Sequence, residues 1–109
     1  MQMVDFQTDA MRTAKPLPEE WALSHLAMLA SGEAGELADG IKKHLIYGQP
    51  LDRENILEEL GDLLWSVAYG AELMGESMET IGRLCIEKLQ RRYPNAYSDH
   101  HAQERLDKI

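Results

Sequence analysis

Two long stretches of this chain repeat their apolar residues with the period of an α-helix, and a Gly-Pro break separates them. The first stretch carries Leu23, Leu26, Leu29, Ala30, Leu37, Ile41 and Leu45. The second carries Ile56, Leu60, Leu63, Leu64, Val67, Ala71 and Met74. At about 100° per residue each set falls on one side of a helical wheel. Tyr47-Gly48-Gln49-Pro50 between them reads as a loop. So short a connection makes the two helices antiparallel neighbours. No period-2 strand of useful length competes with them. An all-α fold is therefore expected, a small antiparallel bundle of four main helices.

The remaining helices follow from local signals. Phe6, Ala10 and Ala14 recur at four-residue steps and predict a short first helix over residues 2–14. Pro16 and Pro18 end it, because each lacks an N–H and restricts the residue before it. Pro18, Glu19 and Glu20 suit the start of the second helix, which should run from about Glu19 to His44. Asp52 is a good N-cap for the third, which reaches about Met74. Gly75 reads as its C-cap and Ser77 as the N-cap of a fourth helix. That helix carries Met78, Ile81, Leu84, Cys85 and Leu89 and stops near Tyr93, before Pro94. Residues 1–94 form the expected domain, and residues 95–109 a polar C-terminal tail with a turn or short helix.

At 109 residues the chain is one domain with a modest core. Its 11 Lys and Arg face 19 Asp and Glu, for a net charge of −8. That balance disfavours nucleic acid, which recruits clustered positive charge. An anionic small substrate remains compatible, provided a local cation meets it. With Cys85 alone no intrachain disulfide can form, which fits a reducing compartment. The first residues lack a basic segment followed by an apolar one, and no apolar run approaches the ~18 residues of a membrane span. A cytoplasmic protein without a membrane partner is expected.

The chemistry concentrates in two acidic clusters inside the long helices. Ser31-Gly32-Glu33-Ala34-Gly35-Glu36-Leu37 carries one pair of carboxylates three residues apart, and Glu58-Glu59-Leu60-Gly61-Asp62 carries another in Glu59 and Asp62. Residues at this spacing share a helix face. Glu33 falls within the apolar stripe, and Glu36, Glu59 and Asp62 lie at the stripe edges. A carboxylate among apolar neighbours is costly unless paired or bound to metal. A single such pair is usually a solvated face. Two pairs on packed helices make one four-carboxylate site, suited to a hard cation such as Mg²⁺. Gly32, Gly35 and Gly40 lie in the same helix, each costing up to about 1 kcal/mol relative to Ala. They suggest close approach of a ligand or another helix.

Glu33-x-x-Glu36 followed by Glu59-x-x-Asp62, with Gly61-Asp62-Leu63-Leu64-Trp65 continuing the helix, resembles the MazG-type all-α nucleoside triphosphate pyrophosphohydrolases. Lys88-Leu89-Gln90-Arg91-Arg92-Tyr93-Pro94 is similar to that family's basic segment. The resemblance runs from about Phe6-Gln7 to Pro94. Two positions depart from the pattern. Gly32 stands where relatives often carry a further acid, and Cys85 where they often carry Asn.

The resemblance implies Mg²⁺-dependent hydrolysis of an NTP or dNTP between the α and β phosphates, with Mn²⁺ as a substitute. It implies Glu33, Glu36, Glu59 and Asp62 as metal ligands, with Glu36 or Glu59 as the base that takes a proton from water. Lys88, Arg91 and Arg92 either steady the departing pyrophosphate or simply complement the helix dipole. Trp21 and His25 lie on the side of Glu36, and Tyr69 on that of Asp62; each either stacks on a base or packs in the core or an interface. Lys42 and Lys43 read as surface charges, and His100 and His101 as tail residues. The family also implies a homodimer or homotetramer with sites near the subunit interface. Related readings are a dUTPase-like or phosphoribosyl-ATP pyrophosphohydrolase. A non-catalytic helical interaction module is a reading from another class. A di-iron carboxylate bundle is disfavoured, because neither long helix carries a Glu-x-x-His pair.

Overall fold

The computed structural model of the protein describes residues 1–108. Five α-helices make up its framework: α1 (Met3–Met11), α2 (Glu19–Leu45), α3 (Arg53–Leu73), α4 (Met78–Arg92) and α5 (Asp99–Glu104). A 3₁₀ turn, Leu106–Lys108, closes the described chain. No strand occurs among the described residues. The all-α expectation holds.

The helix ends follow the local chemistry. Asp52 caps α3 by accepting from the backbone N–H of Asn55 at 3.1 Å, and Ser77 caps α4 by accepting from that of Thr80 at 3.2 Å. The C-cap of α3 is Met74, one residue before the expected Gly75, which follows it with φ +67°, and the Glu76 N–H reaches back to the Ala71 carbonyl at 2.9 Å. This left-handed residue after a helix is a conformation glycine adopts without strain. α1 is shorter than its periodicity predicts. Beyond Met11 the chain tightens into three-residue turns, with Thr13 N–H on the Ala10 carbonyl at 3.0 Å and Ala14 N–H on that of Met11 at 3.2 Å. The Thr13 hydroxyl also donates to the Ala10 carbonyl at 2.7 Å, so it competes with the next helical turn.

α2 and α3 form a long antiparallel hairpin, and α1 packs against α3 and α4. A small core of Ala10, Ala68, Ala71 and Met78 is flanked by Phe6, Met11, Leu64 and Trp65. Gln7 locks this junction. Its buried side-chain amide donates to Glu72 Oε2 at 3.1 Å and to the Glu76 carbonyl at 2.9 Å, while its oxygen accepts from the Met78 N–H at 2.8 Å.

The chain is more open than a closed bundle. Its radius of gyration is 16.9 Å, against about 13 Å for a compact domain of this length. The apolar stripes of α2 and α3 are wider than their mutual contact covers: Leu45 stays 70% exposed and Met74 61%. The tail folds back onto α4, where the Arg92 guanidinium holds the Asp107 carboxylate through two bonds of 2.8 and 2.9 Å.

Candidate metal centre

The hairpin register builds the site. The space beside Gly40 on α2 is taken by Asn55 of α3: a Cβ on Gly40 would lie 2.8 Å from Asn55 Nδ2. Stepping four residues back along α2 and four forward along α3 reaches Glu36 and Glu59, which line one opening together. A further step of three on each helix reaches Glu33 and Asp62, which share a second opening. Another step of four reaches Leu29 and Ser66, in that same opening. Equal steps in opposite directions keep the facing residues matched along the hairpin.

Glu33, Glu36, Glu59 and Asp62 therefore converge. Each offers a carboxylate oxygen, and these four atoms all lie within 4.8 Å of one another. Glu33 and Glu59 are half-buried, and Glu36 and Asp62 are exposed. Glu33 Oε2 and Glu59 Oε2 are buried without a hydrogen-bond partner among the described residues. Burial pushes the Glu59 carboxyl up to about 7, and the carboxylates of Glu36 and Glu33 beside it push the same way. Burial also raises Glu33, helped by the charges of Glu36 and Asp62 and opposed by its contact with Glu59.

Four crowded acids, two of them with orphaned buried oxygens, form a donor set short of positive charge. Opposite ligands of an octahedral Mg²⁺ are about 4 Å apart, so donor atoms at this spacing need only small movements to enclose such an ion. The residues fit a hard divalent cation.

The two openings differ in character. One, of about 290 Å³, is lined by Leu29, Trp65 and Ser66 beside Glu33 and Asp62. The other, of about 310 Å³, has Asp39, Lys43 and Asn55 beside Glu36 and Glu59. Lys43 Nζ lies 3.3 Å from the Asp39 carboxylate, which the pair holds below its ordinary range. Trp65 is fixed from two sides. It stacks on Tyr69 at 5.4 Å with 16° between the planes, and its indole N–H donates to the Thr13 hydroxyl at 3.0 Å.

Other residues singled out in the sequence lie elsewhere. Trp21 and His25 line a separate groove of about 350 Å³ with Leu17, Ser24 and Met28. Trp21 precedes Glu33 by twelve residues on the same helix, about 18 Å along the axis. His25 meets Tyr69 edge-on at 5.6 Å and so touches the aromatic pair that ends at Trp65. Lys88, Arg91 and Arg92 sit on the last turns of α4 and line neither opening beside the acids. Arg92 is engaged by Asp107. Of the three glycines of α2, only Gly40 has a close neighbour; a Cβ on Gly32 or Gly35 would meet nothing within 4 Å. Reading the sequence alone missed Asn55 and Ser66; Lys43, read there as a surface charge, is exposed and also lines the opening beside Glu36 and Glu59. The signal that finds them is the register itself, extended by one helical step on either side of the acids.

Residues 22–97 match the MazG nucleotide pyrophosphohydrolase domain, most of the chain and both acidic pairs. The chain belongs to this family. The MazG domain also resembles the Gene 37 protein of Mycobacterium phage L5, with 36% identity over 75 residues, or 64% of this chain. The matched stretch spans 65% of that relative's length. No solved structure matches the chain. Membership places the protein with the nucleotide pyrophosphohydrolases, a family that works with divalent metal, and the acidic cluster supplies residues able to hold one. No described helix is long and apolar enough to cross a membrane.

Proposed function

We propose that this MazG domain hydrolyses nucleoside triphosphates, ribo or deoxy, between the α and β phosphates to the monophosphate and pyrophosphate. The observation that carries this reading is the convergence of Glu33, Glu36, Glu59 and Asp62 within a MazG domain. These four residues would hold Mg²⁺, or Mn²⁺ in its place. When bound, such an ion neutralises phosphate oxygens and acidifies a water.

The protein's part is to position that water and take its proton. Glu59 suits the role of base over Glu36. Its Oε2 is buried without a hydrogen-bond partner among the described residues, whereas Glu36 is exposed. As the water oxygen bonds to the α-phosphorus, its proton passes to Glu59 Oε2 and the bond to the bridging oxygen breaks. Pyrophosphate leaves with that bonding pair.

The exposed apolar stripes support a homodimer or homotetramer. In a single chain Trp21 lies about 18 Å along α2 from Glu33, out of reach of the base of a nucleotide bound at the acids. The substrate roles proposed for Trp21, Lys88 and Arg91 therefore require a second copy to bring these residues to the site, while His25 meets it within one chain only through Tyr69 and Trp65; Arg92 would first have to leave Asp107.

A panel of NTPs and dNTPs with Mg²⁺ or Mn²⁺, reading pyrophosphate, phosphate and monophosphate separately, tests the reaction. Equimolar pyrophosphate and monophosphate are expected. Glu33→Gln and Asp62→Asn should each lower turnover by about 100-fold or more while the helical circular dichroism persists. Full activity in both variants, or release of orthophosphate instead, refutes the reading.

A further inference from the structure

The two openings beside the acids differ in chemistry, and they lie in line. From the hairpin loop outward, the register sets Lys43 and the Gly40–Asn55 contact first, then Glu36 with Glu59, then Glu33 with Asp62, then Leu29 with Ser66 and Trp65. The loop side offers an ammonium and a carboxamide, with the Asp39 carboxylate paired to the ammonium. The far side offers an indole, a leucine and a buried serine. A nucleoside triphosphate has the same polarity along its length, with phosphate oxygens at one end and a flat ring at the other.

We propose that the substrate lies lengthwise along the α2–α3 hairpin. Its nucleoside sits on Leu29, Trp65 and Ser66, its α-phosphate at the four acids, and its departing pyrophosphate on Asn55 and Lys43. This rests on the pyrophosphohydrolase reading and adds a direction to it.

Three features support that direction. The Asn55 backbone N–H is held by the Asp52 cap, so its amide is free to serve a ligand only through its side chain, which Gly40 admits. Lys43 is exposed, and its partner Asp39 is an exposed carboxylate at 3.3 Å, a pairing that a multiply charged phosphate group outcompetes. On the far side Trp65 is already immobilised by Tyr69 and Thr13, so a base loses little freedom of the protein when it packs there. The Ser66 hydroxyl makes a single bond of 3.3 Å to the Asp62 carbonyl and can still accept a hydrogen bond from a sugar hydroxyl.

The test separates the two product halves. The full-length protein with Mg²⁺ is titrated calorimetrically with inorganic pyrophosphate and, separately, with the nucleoside monophosphate of its fastest substrate. Lys43→Gln and Asn55→Leu should weaken pyrophosphate by about fivefold or more and leave the monophosphate within about twofold. Leu29→Ala and Trp65→Phe should do the opposite. Leu29→Ala decides the point if the tryptophan variant loses its fold. The reverse pattern, or equal losses for both ligands in every variant, overturns the proposal while leaving the reaction standing. A wild-type protein that binds neither product with Mg²⁺ also overturns the proposal, whereas one that hydrolyses no triphosphate removes the pyrophosphohydrolase reading and this one with it.

Discussion

Replacing Gly40 with alanine should separate stability from ligand binding. Alanine in a helix interior gains up to about 1 kcal/mol over glycine. At Gly35 a Cβ meets nothing within 4 Å, so Gly35→Ala should realise most of that gain. At Gly40 the new Cβ would lie 2.8 Å from Asn55 Nδ2, closer than real contacts allow. The Asn55 backbone cannot give way, because Asp52 holds its N–H at 3.1 Å in the first turn of α3. The amide must turn instead, and leaving its rotamer costs about 0.5–1.5 kcal/mol. The two effects cancel, so Gly40→Ala should melt within about 2 °C of wild type, while Gly35→Ala rises by about 4 °C or more. Pyrophosphate binding, measured by calorimetry with Mg²⁺, should weaken about threefold in Gly40→Ala, the loss of one polar contact. A Gly40→Ala protein that gains as much stability as Gly35→Ala and binds pyrophosphate like wild type refutes the placement of Asn55.

Three further outcomes are expected. Gln7→Ala removes three hydrogen bonds and leaves the Met78 N–H without its partner, so urea unfolding should show a loss of about 2–4 kcal/mol. In EDTA, melting temperature should fall as pH rises from 5 to 8. Glu59 binds its proton up to about 7 in the folded chain and releases it at lower pH when unfolded, so this stabilisation is complete below the ordinary carboxylate value and is lost through pH 7. Glu59→Gln should flatten the slope, and added Mg²⁺ should reverse it; a slope unchanged by both sinks the account. Asp107→Asn should free the tail from α4 and speed trypsin cleavage after Arg105 while the long helices persist by circular dichroism. In the wild type the same release should appear only in strong acid. Arg92 holds the Asp107 carboxyl well below its usual value, so the pairing is present above the ordinary carboxylate range and lost as pH falls through the lowered one.

The hairpin was legible because each of its parts is a local signal. The stripes set the two long helices, Gly48 and Pro50 the loop between them, and Asp52, Ser77 and Gly75 the starts and stops. The acidic pairs were legible for the same reason, since three-residue spacing on a helix is a statement about one face. What escaped depends on register between helices. Asn55 carries no signal until Gly40 is known to lie opposite it. Ser66 is a small polar residue that only the facing Leu29 marks as part of an opening. Gln7 escaped because a buried glutamine earns its place by backbone groups about seventy positions away, in the turn before α4. The exposed part of the stripes escaped too, because periodicity shows which residues share a face and not how much of it the same chain covers.

The matched steps of the hairpin carry a consequence for insertions and deletions. Every site residue on α2 precedes Leu45, and every one on α3 follows Asp52. Residues added to or removed from the loop change no facing pair, so loop length is free to drift. One residue inserted between Glu36 and Gly40 turns Lys43 by about 100° away from Asn55 and leaves the four acids in phase. One inserted between Glu33 and Glu36 breaks the acid cluster itself. Length variation is thus tolerated at the loop, damages one half of the site near it, and abolishes the centre three residues further on.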